Sequence, residues 1–135
     1  MQAYRAPWWL PGGHLQTIYA AFLDRRYRVT YRRERWDTPD GDFIDVDWVE
    51  GEPDKPLLVL FHGLEGGSSS HYALSLMHAV RKLNWRGVVV MFRGCSGEIN
   101  RLPRAYHSGD SAEVSWILRR LKIQNPQSTI YAVGV

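Results

Sequence analysis

A single cysteine, Cys95, stands in 135 residues, which excludes an intramolecular disulfide framework and suits a reducing compartment. Long apolar runs are missing too: the longest are of strand length, well short of the roughly twenty residues that a membrane-spanning helix needs. The first residues lack the continuous apolar core of a secretory signal, so a cytoplasmic soluble protein is expected. Among His14, His62, His71, His78 and His107 no pair has the His-x-x-x-His spacing of a helical zinc site, and the cysteine has no partner for a metal. No metal is expected. Gly63, Gly66 and Gly67 miss the Gly-x-Gly-x-x-Gly spacing of a dinucleotide loop, and no cofactor is expected either. Internal repeats and low-complexity tracts are absent.

What is present is a globular composition, 44% hydrophobic and 23% charged, of a size that suits one small domain. The formal charge of +3 comes largely from Arg25, Arg26, Arg28, Arg32, Arg33 and Arg35. A nucleic-acid or lipid role for this cluster is not favoured, because Asp24, Glu34, Asp37, Asp40, Asp42, Asp45 and Asp47 dilute its field and no nucleic-acid motif accompanies it. Tyr27, Val29 and Tyr31 alternate with arginines, as on a half-exposed strand with its charges in water.

Residues 1–25, with Trp8-Trp9-Leu10-Pro11-Gly12-Gly13 and a short helical stretch at 14–22, read as a packing arm. A membrane-interface anchor is the rival reading, but the arm lacks a basic face of its own. Residues 26–36 and 43–48 read as a hairpin, turned by Pro39-Asp40-Gly41-Asp42. Leu57 to Phe61 is an unbroken apolar run, the pattern of a strand buried on both faces. Ala73, Leu76, Met77 and Val80 repeat at helical spacing, Gly87 to Phe92 is a second buried strand, and Val114, Ile117, Leu118 and Leu121 mark a second helix. Asp110 with Glu113 resembles a capping box at its start, Asn125-Pro126 ends it, and Ser128 to Val133 is the last strand. An antiparallel hairpin followed by strands joined through helical crossovers predicts an α/β fold with a mostly parallel sheet flanked by helices.

Two segments carry chemistry. The first buried strand opens into His62-Gly63-Leu64-Glu65-Gly66-Gly67, which resembles the loop supplying half of an α/β-hydrolase oxyanion hole. Such a loop needs backbone N–H groups aimed at a developing negative charge in a dry site. Its glycines are expected to bring the backbone close and to take positive φ, and the Leu64 N–H is the candidate donor. The second segment is the apolar strand closing on Gly134-Val135, which reads as the first two positions of a Gly-x-Ser-x-Gly nucleophile elbow. Gly94-Cys95-Ser96-Gly97-Glu98 misses that motif, since Glu98 stands where glycine should and about a dozen residues separate Ser96 from the next helix. Neither Cys95 nor Ser96 is favoured as a nucleophile. Arg93 is expected to tie down carbonyls at the rim of the site, and Asp110 to cap a helix rather than serve His107.

Together with His14-Leu15-Gln16-Thr17, Pro39-Asp40-Gly41-Asp42-Phe43, Phe92 to Glu98 and Tyr106-His107-Ser108-Gly109-Asp110, these segments resemble the YheT-like subfamily of α/β-hydrolases. The resemblance covers essentially the whole chain. It implies a cytoplasmic serine hydrolase of carboxylic esters, with a small-molecule or lipid ester as substrate. It also implies the N-terminal half of such a domain over residues 26–135, ending at the elbow, in which the triad serine, aspartate and histidine all come later. On that reading the chain has no catalytic residue of its own and is inactive alone, with the last strand a hydrophobic edge and one sheet face short of helices. The alternative is a non-catalytic binding or interaction module derived from the same fold.

Overall fold

The computed structural model describes residues 5–19, 27–107 and 109–135. In chain order they form α1 (Gly13–Ile18), β1 (Arg32–Asp37), β2 (Phe43–Val49), β3 (Leu57–Phe61), α2 (His71–Lys82), β4 (Arg86–Met91), α3 (Ser111–Gln124) and β5 (Ile130–Gly134). The five strands make one sheet in the order β1-β2-β4-β3-β5. β1, β2 and β4 pair antiparallel, whereas β3 runs parallel to both β4 and β5. The helical crossovers thus join parallel strands, as expected.

Period-two alternation divides the core between the two sheet faces. Val46, Trp48, Leu57, Val59, Val88 and Val90 turn one way, toward Ile117 and Leu121 of α3. Val49, Leu58, Leu60, Val89 and Met91 turn the other way, toward Ala73, Met77 and Val80 of α2. Each face therefore carries one helix, which corrects the expectation that the covering of one face would be missing. β5 is an edge strand with Tyr131 half exposed, as expected of a hydrophobic edge.

Local chemistry sets the element ends. Gly41 takes φ 87° in the hairpin turn, where the Thr38 N–H donates to the Asp42 carbonyl at 2.9 Å. α2 stops where Asn84 enters the left-handed region at φ 54°, a conformation that asparagine tolerates just past a helix end. Asp110 caps α3 by accepting the Glu113 N–H at 3.2 Å. The return half of a capping box does not form, because the Glu113 carboxylate is turned to Arg93 at 2.9 Å instead.

The first strand is shorter than the sequence suggests. Arg26 lies outside the described residues, and 27–31 are not strand: pairing with β2 ends at Arg32, opposite Trp48. The alternation Tyr27, Val29, Tyr31 serves another purpose. Tyr27 stacks on His78 of α2 with ring centroids 4.5 Å apart, Val29 and Tyr31 pack on the α2-side core, and the Tyr31 hydroxyl donates to the Ser68 carbonyl at 3.0 Å.

The arginines of β1 are half exposed yet committed. Arg33 makes a bidentate pair with Asp47 at 2.7 and 2.8 Å, and Arg35 one with Asp45 at 2.8 and 2.9 Å. Both carboxylates are buried, so the arginines act as their cover rather than as charges left in water. In the N-terminal arm no residue of α1 is buried, Trp8 is 91% exposed, and the Trp9 ring meets Tyr19 edge-on at 5.2 Å. Among the described residues no helix is long and apolar enough to cross a membrane.

Candidate active site

The carboxyl ends of β3, β4 and β5 converge on one cavity of about 650 Å³. Phe61, Phe92, Tyr106 and Val114 supply much of its apolar wall, and His62, Gly63, Leu64, Gly134 and Val135 also line it. Clefts at the carboxyl ends of parallel strands are where open α/β sheets bind ligands. The Val135 N–H donates to the Phe61 carbonyl at 3.2 Å, which fastens residue 135 beside the start of the 62–67 loop.

His62 follows β3 and is buried. Its Nε2 accepts the Phe92 N–H at 3.2 Å, so its proton sits on Nδ1, 2.7 Å from the Gly63 carbonyl. Burial lowers its pKa and outweighs the opposing pull of that carbonyl. The ring is thus a neutral strut between the ends of β3 and β4.

The amides after it are almost all committed. Gly63 N–H donates to the Tyr72 hydroxyl at 3.1 Å, and Glu65 N–H to the Tyr106 hydroxyl at 2.6 Å. Gly66 N–H donates to the Gly63 carbonyl at 2.9 Å, Gly67 N–H to Ser70 Oγ at 3.0 Å and Ser68 N–H to Met91 Sδ at 3.3 Å. Within residues 63–68 the Leu64 N–H alone has no acceptor among the described residues, and the residue is 89% exposed.

The glycines of this loop work by size. Positive φ falls on Glu65, at 51°, and not on Gly63, Gly66 or Gly67, which corrects the expectation for them. A Cβ on Gly66 would collide with the Tyr72 hydroxyl, and one on Gly63 would lie 3.2 Å from the Val135 carbonyl oxygen. Close approach of the loop to its neighbours is what excludes side chains here.

This architecture has known counterparts. YheT of Escherichia coli, an esterase by name, is 46% identical over 124 residues, spanning 90% of this chain and 36% of the relative. Human Phospholipase ABHD3 is 28% identical over 142 residues, 99% of this chain and 35% of that one. The solved structure of an α/β serine hydrolase homologue from Coxiella burnetii superposes with a TM-score of 0.61 at 17% identity, over 80% of this chain and 53% of the other. That last likeness is one of fold. No protein-family model matches the sequence. The chain has the α/β-hydrolase fold and is similar to the YheT-like α/β-hydrolases over 90% of its length. It spans about a third of the length of the curated relatives it matches.

Within this α/β-hydrolase chain the other chemically suggestive residues have structural partners. Cys95 is partly buried, and burial raises its thiol pKa despite a hydrogen bond from Tyr106, the opposite of an activated nucleophile. The Ser96 carbonyl accepts from Arg33 at 2.9 Å. His107 lies 3.9 Å from Asp110, whose carboxylate is taken by Arg104 at 2.6 Å and by the cap of α3. Ser108, between them, is outside the described residues.

Arg93 binds carboxylates, not the carbonyls expected for it. Its buried guanidinium donates to Glu113 at 2.9 Å, Asp42 at 3.0 Å and Asp40 at 3.1 Å, joining the end of β4 to the hairpin turn and to α3. A smaller cavity of about 160 Å³ borders this cluster. Tyr72 and Tyr106, which hold the 62–67 loop, carry no role in the sequence reading. Aromatic residues in a helix start and a long loop give no sign there of which amide they will meet.

Proposed function

We propose that the protein carrying this chain hydrolyses carboxylic esters, of small molecules or of lipids, by Ser-His-Asp acyl transfer. The observation that carries the reading is the uncommitted Leu64 N–H at the wall of an apolar cavity, in a loop whose neighbouring amides are all occupied. The names of relatives, an esterase and a phospholipase, point to the same substrate class.

In this mechanism the nucleophilic serine follows Gly134-Val135 on the turn after β5, and the aspartate and histidine come later still. Serine attacks the ester carbonyl while histidine takes its proton, and the oxyanion is held between the Leu64 N–H and the N–H after the serine. Phe61, Phe92 and Val114 exclude water around the acyl group. Residues 1–135 contribute the oxyanion side and the elbow start, and none of the triad, so by themselves they hydrolyse nothing.

The test replaces the Leu64 amide by an ester linkage, which deletes the N–H and keeps the side chain. On a p-nitrophenyl ester, kcat is expected to fall about 10²- to 10³-fold with KM little changed, the cost of one oxyanion donor. A kcat within about threefold of the wild type removes Leu64 from the mechanism. Ester hydrolysis by pure residues 1–135 would show that the triad assignment is wrong.

A further inference from the structure

We propose that Tyr72 and Tyr106 are positioning residues, whose hydroxyls occupy the amides on either side of Leu64 and so hold its N–H as the free donor at the cavity. The inference rests on the ester-hydrolase reading and adds to it the parts that set the donor.

The two rings come from opposite sides of the sheet. Tyr72, in the first turn of α2, packs with the α2-side core. Tyr106, in the loop before α3, packs with the α3-side core and stacks on Phe92 with centroids 5.5 Å apart and planes 4° from parallel. It also meets the His62 ring edge-on at 5.8 Å. Each hydroxyl is therefore carried by a ring that the core already fixes, and the loop is pinned from both faces at residues 63 and 65.

Two details argue that the oxygens, beyond the rings, matter. The Tyr72 hydroxyl lies in the notch left by the missing side chain of Gly66, so the glycine makes room for that oxygen. Glu65 sits in the left-handed region without being glycine, a conformation that persists only where its surroundings over-determine it. Its N–H bond to Tyr106, at 2.6 Å, supplies such a constraint. Without the hydroxyls the flanking amides turn to water, and the peptide between them loses its fixed direction.

The experiment uses Tyr72→Phe and Tyr106→Phe in the protein that carries this chain, with amide hydrogen exchange read by NMR and hydrolysis of p-nitrophenyl butyrate. Tyr72→Phe is expected to speed exchange at Gly63, and Tyr106→Phe at Glu65, each by about five- to tenfold, as for loss of one hydrogen bond. Each should lower kcat by about the same factor with KM unchanged, since a misdirected donor weakens the transition state alone. Gly66→Ala, which displaces the Tyr72 hydroxyl by another route, should reproduce the Tyr72→Phe effect and add little to it in the double variant.

Unchanged exchange in both Phe variants overturns the inference and leaves the ester reading standing. Faster exchange with unchanged kcat also overturns it, because the hydroxyls would then serve folding alone. Absence of hydrolysis by the wild type overturns the ester reading itself, and the catalytic part of this inference with it.

Discussion

Replacing Arg93 by methionine should destabilise the fold more than any substitution on its surface. The guanidinium is 4% exposed and faces Asp42, which is 0% exposed, Glu113, also buried, and the partly exposed Asp40. Removing the cation leaves Asp42 and Glu113 buried without their guanidinium, a change that costs about 3–5 kcal/mol in buried pairs. Against roughly 7–20 kcal/mol for a domain of this length, that is a large fraction. The pH dependence identifies the cause. The Thr38 hydroxyl and then Arg93 hold the Asp40 carboxyl well below the usual range. Burial pushes Asp42 up, but Asn100, the Arg101 and Phe43 N–H groups and Arg93 together bring it below the usual range.

A depressed carboxyl stabilises the wild type above the unfolded pKa of about 3.9, and that contribution disappears as pH falls through the folded value. In Arg93→Met the folded values rise, so the variant recovers relative stability where the carboxyls can protonate. Urea unfolding followed by tryptophan fluorescence should give a difference of about 3–5 kcal/mol at pH 7 that narrows steeply toward pH 3. A difference below about 1 kcal/mol at pH 7 would refute the reasoning. So would a difference of full size that does not change with pH, since that would be lost packing. Arg93→Lys keeps the charge without the planar fork and should fall between the two.

Two further outcomes follow from the same geometry. Because burial holds His62 neutral with a lowered pKa, its contribution is complete above the unfolded value of about 6.5 and declines as pH falls below it; thermal unfolding between pH 8 and 5 should show that decline, and His62→Gln should flatten it. Asp110→Ala removes the cap of α3 and should cost about 1 kcal/mol in urea unfolding, whereas Asp110→Asn, which keeps an acceptor, should cost clearly less.

Much of the fold was legible because its signals are local. Leu57 to Phe61 is strand by apolar content alone, Pro39 to Asp42 turns a hairpin, and Asp110 announces a helix. Failures arise where a local pattern is satisfied by a distant partner. Tyr27, Val29 and Tyr31 alternate like a strand, yet what they meet is α2 and its core, thirty or more residues away. Glu113 stands at the capping-box position, but a buried guanidinium is a stronger claimant for its carboxylate than a backbone N–H that already has an acceptor, His107. Asp45 and Asp47 look like solvent-side residues of β2 until Arg33 and Arg35 are placed opposite them by the register.

The two segments singled out in the sequence do line one cavity, but which amide is left free there was not legible, and the reason lies in what a sequence encodes. His62, Gly63 and Leu64 can be located from a strand running into glycines, as Gly134 and Val135 can. An oxyanion donor, however, is a backbone N–H, which every residue but proline has. What distinguishes Leu64 is that its neighbours' amides are given away, to Tyr72, to Tyr106 and to the loop's own carbonyl. On the proposed reading the donor is thus specified by residues far from it in sequence, which take the amides on either side of it. It follows that side-chain changes at Leu64 itself should matter less to catalysis than loss of either tyrosine hydroxyl. Leu64→Ala beside Tyr106→Phe in one kcat measurement sets these against each other, and the reverse order would mean that the leucine side chain, not the amide, is what the cavity uses.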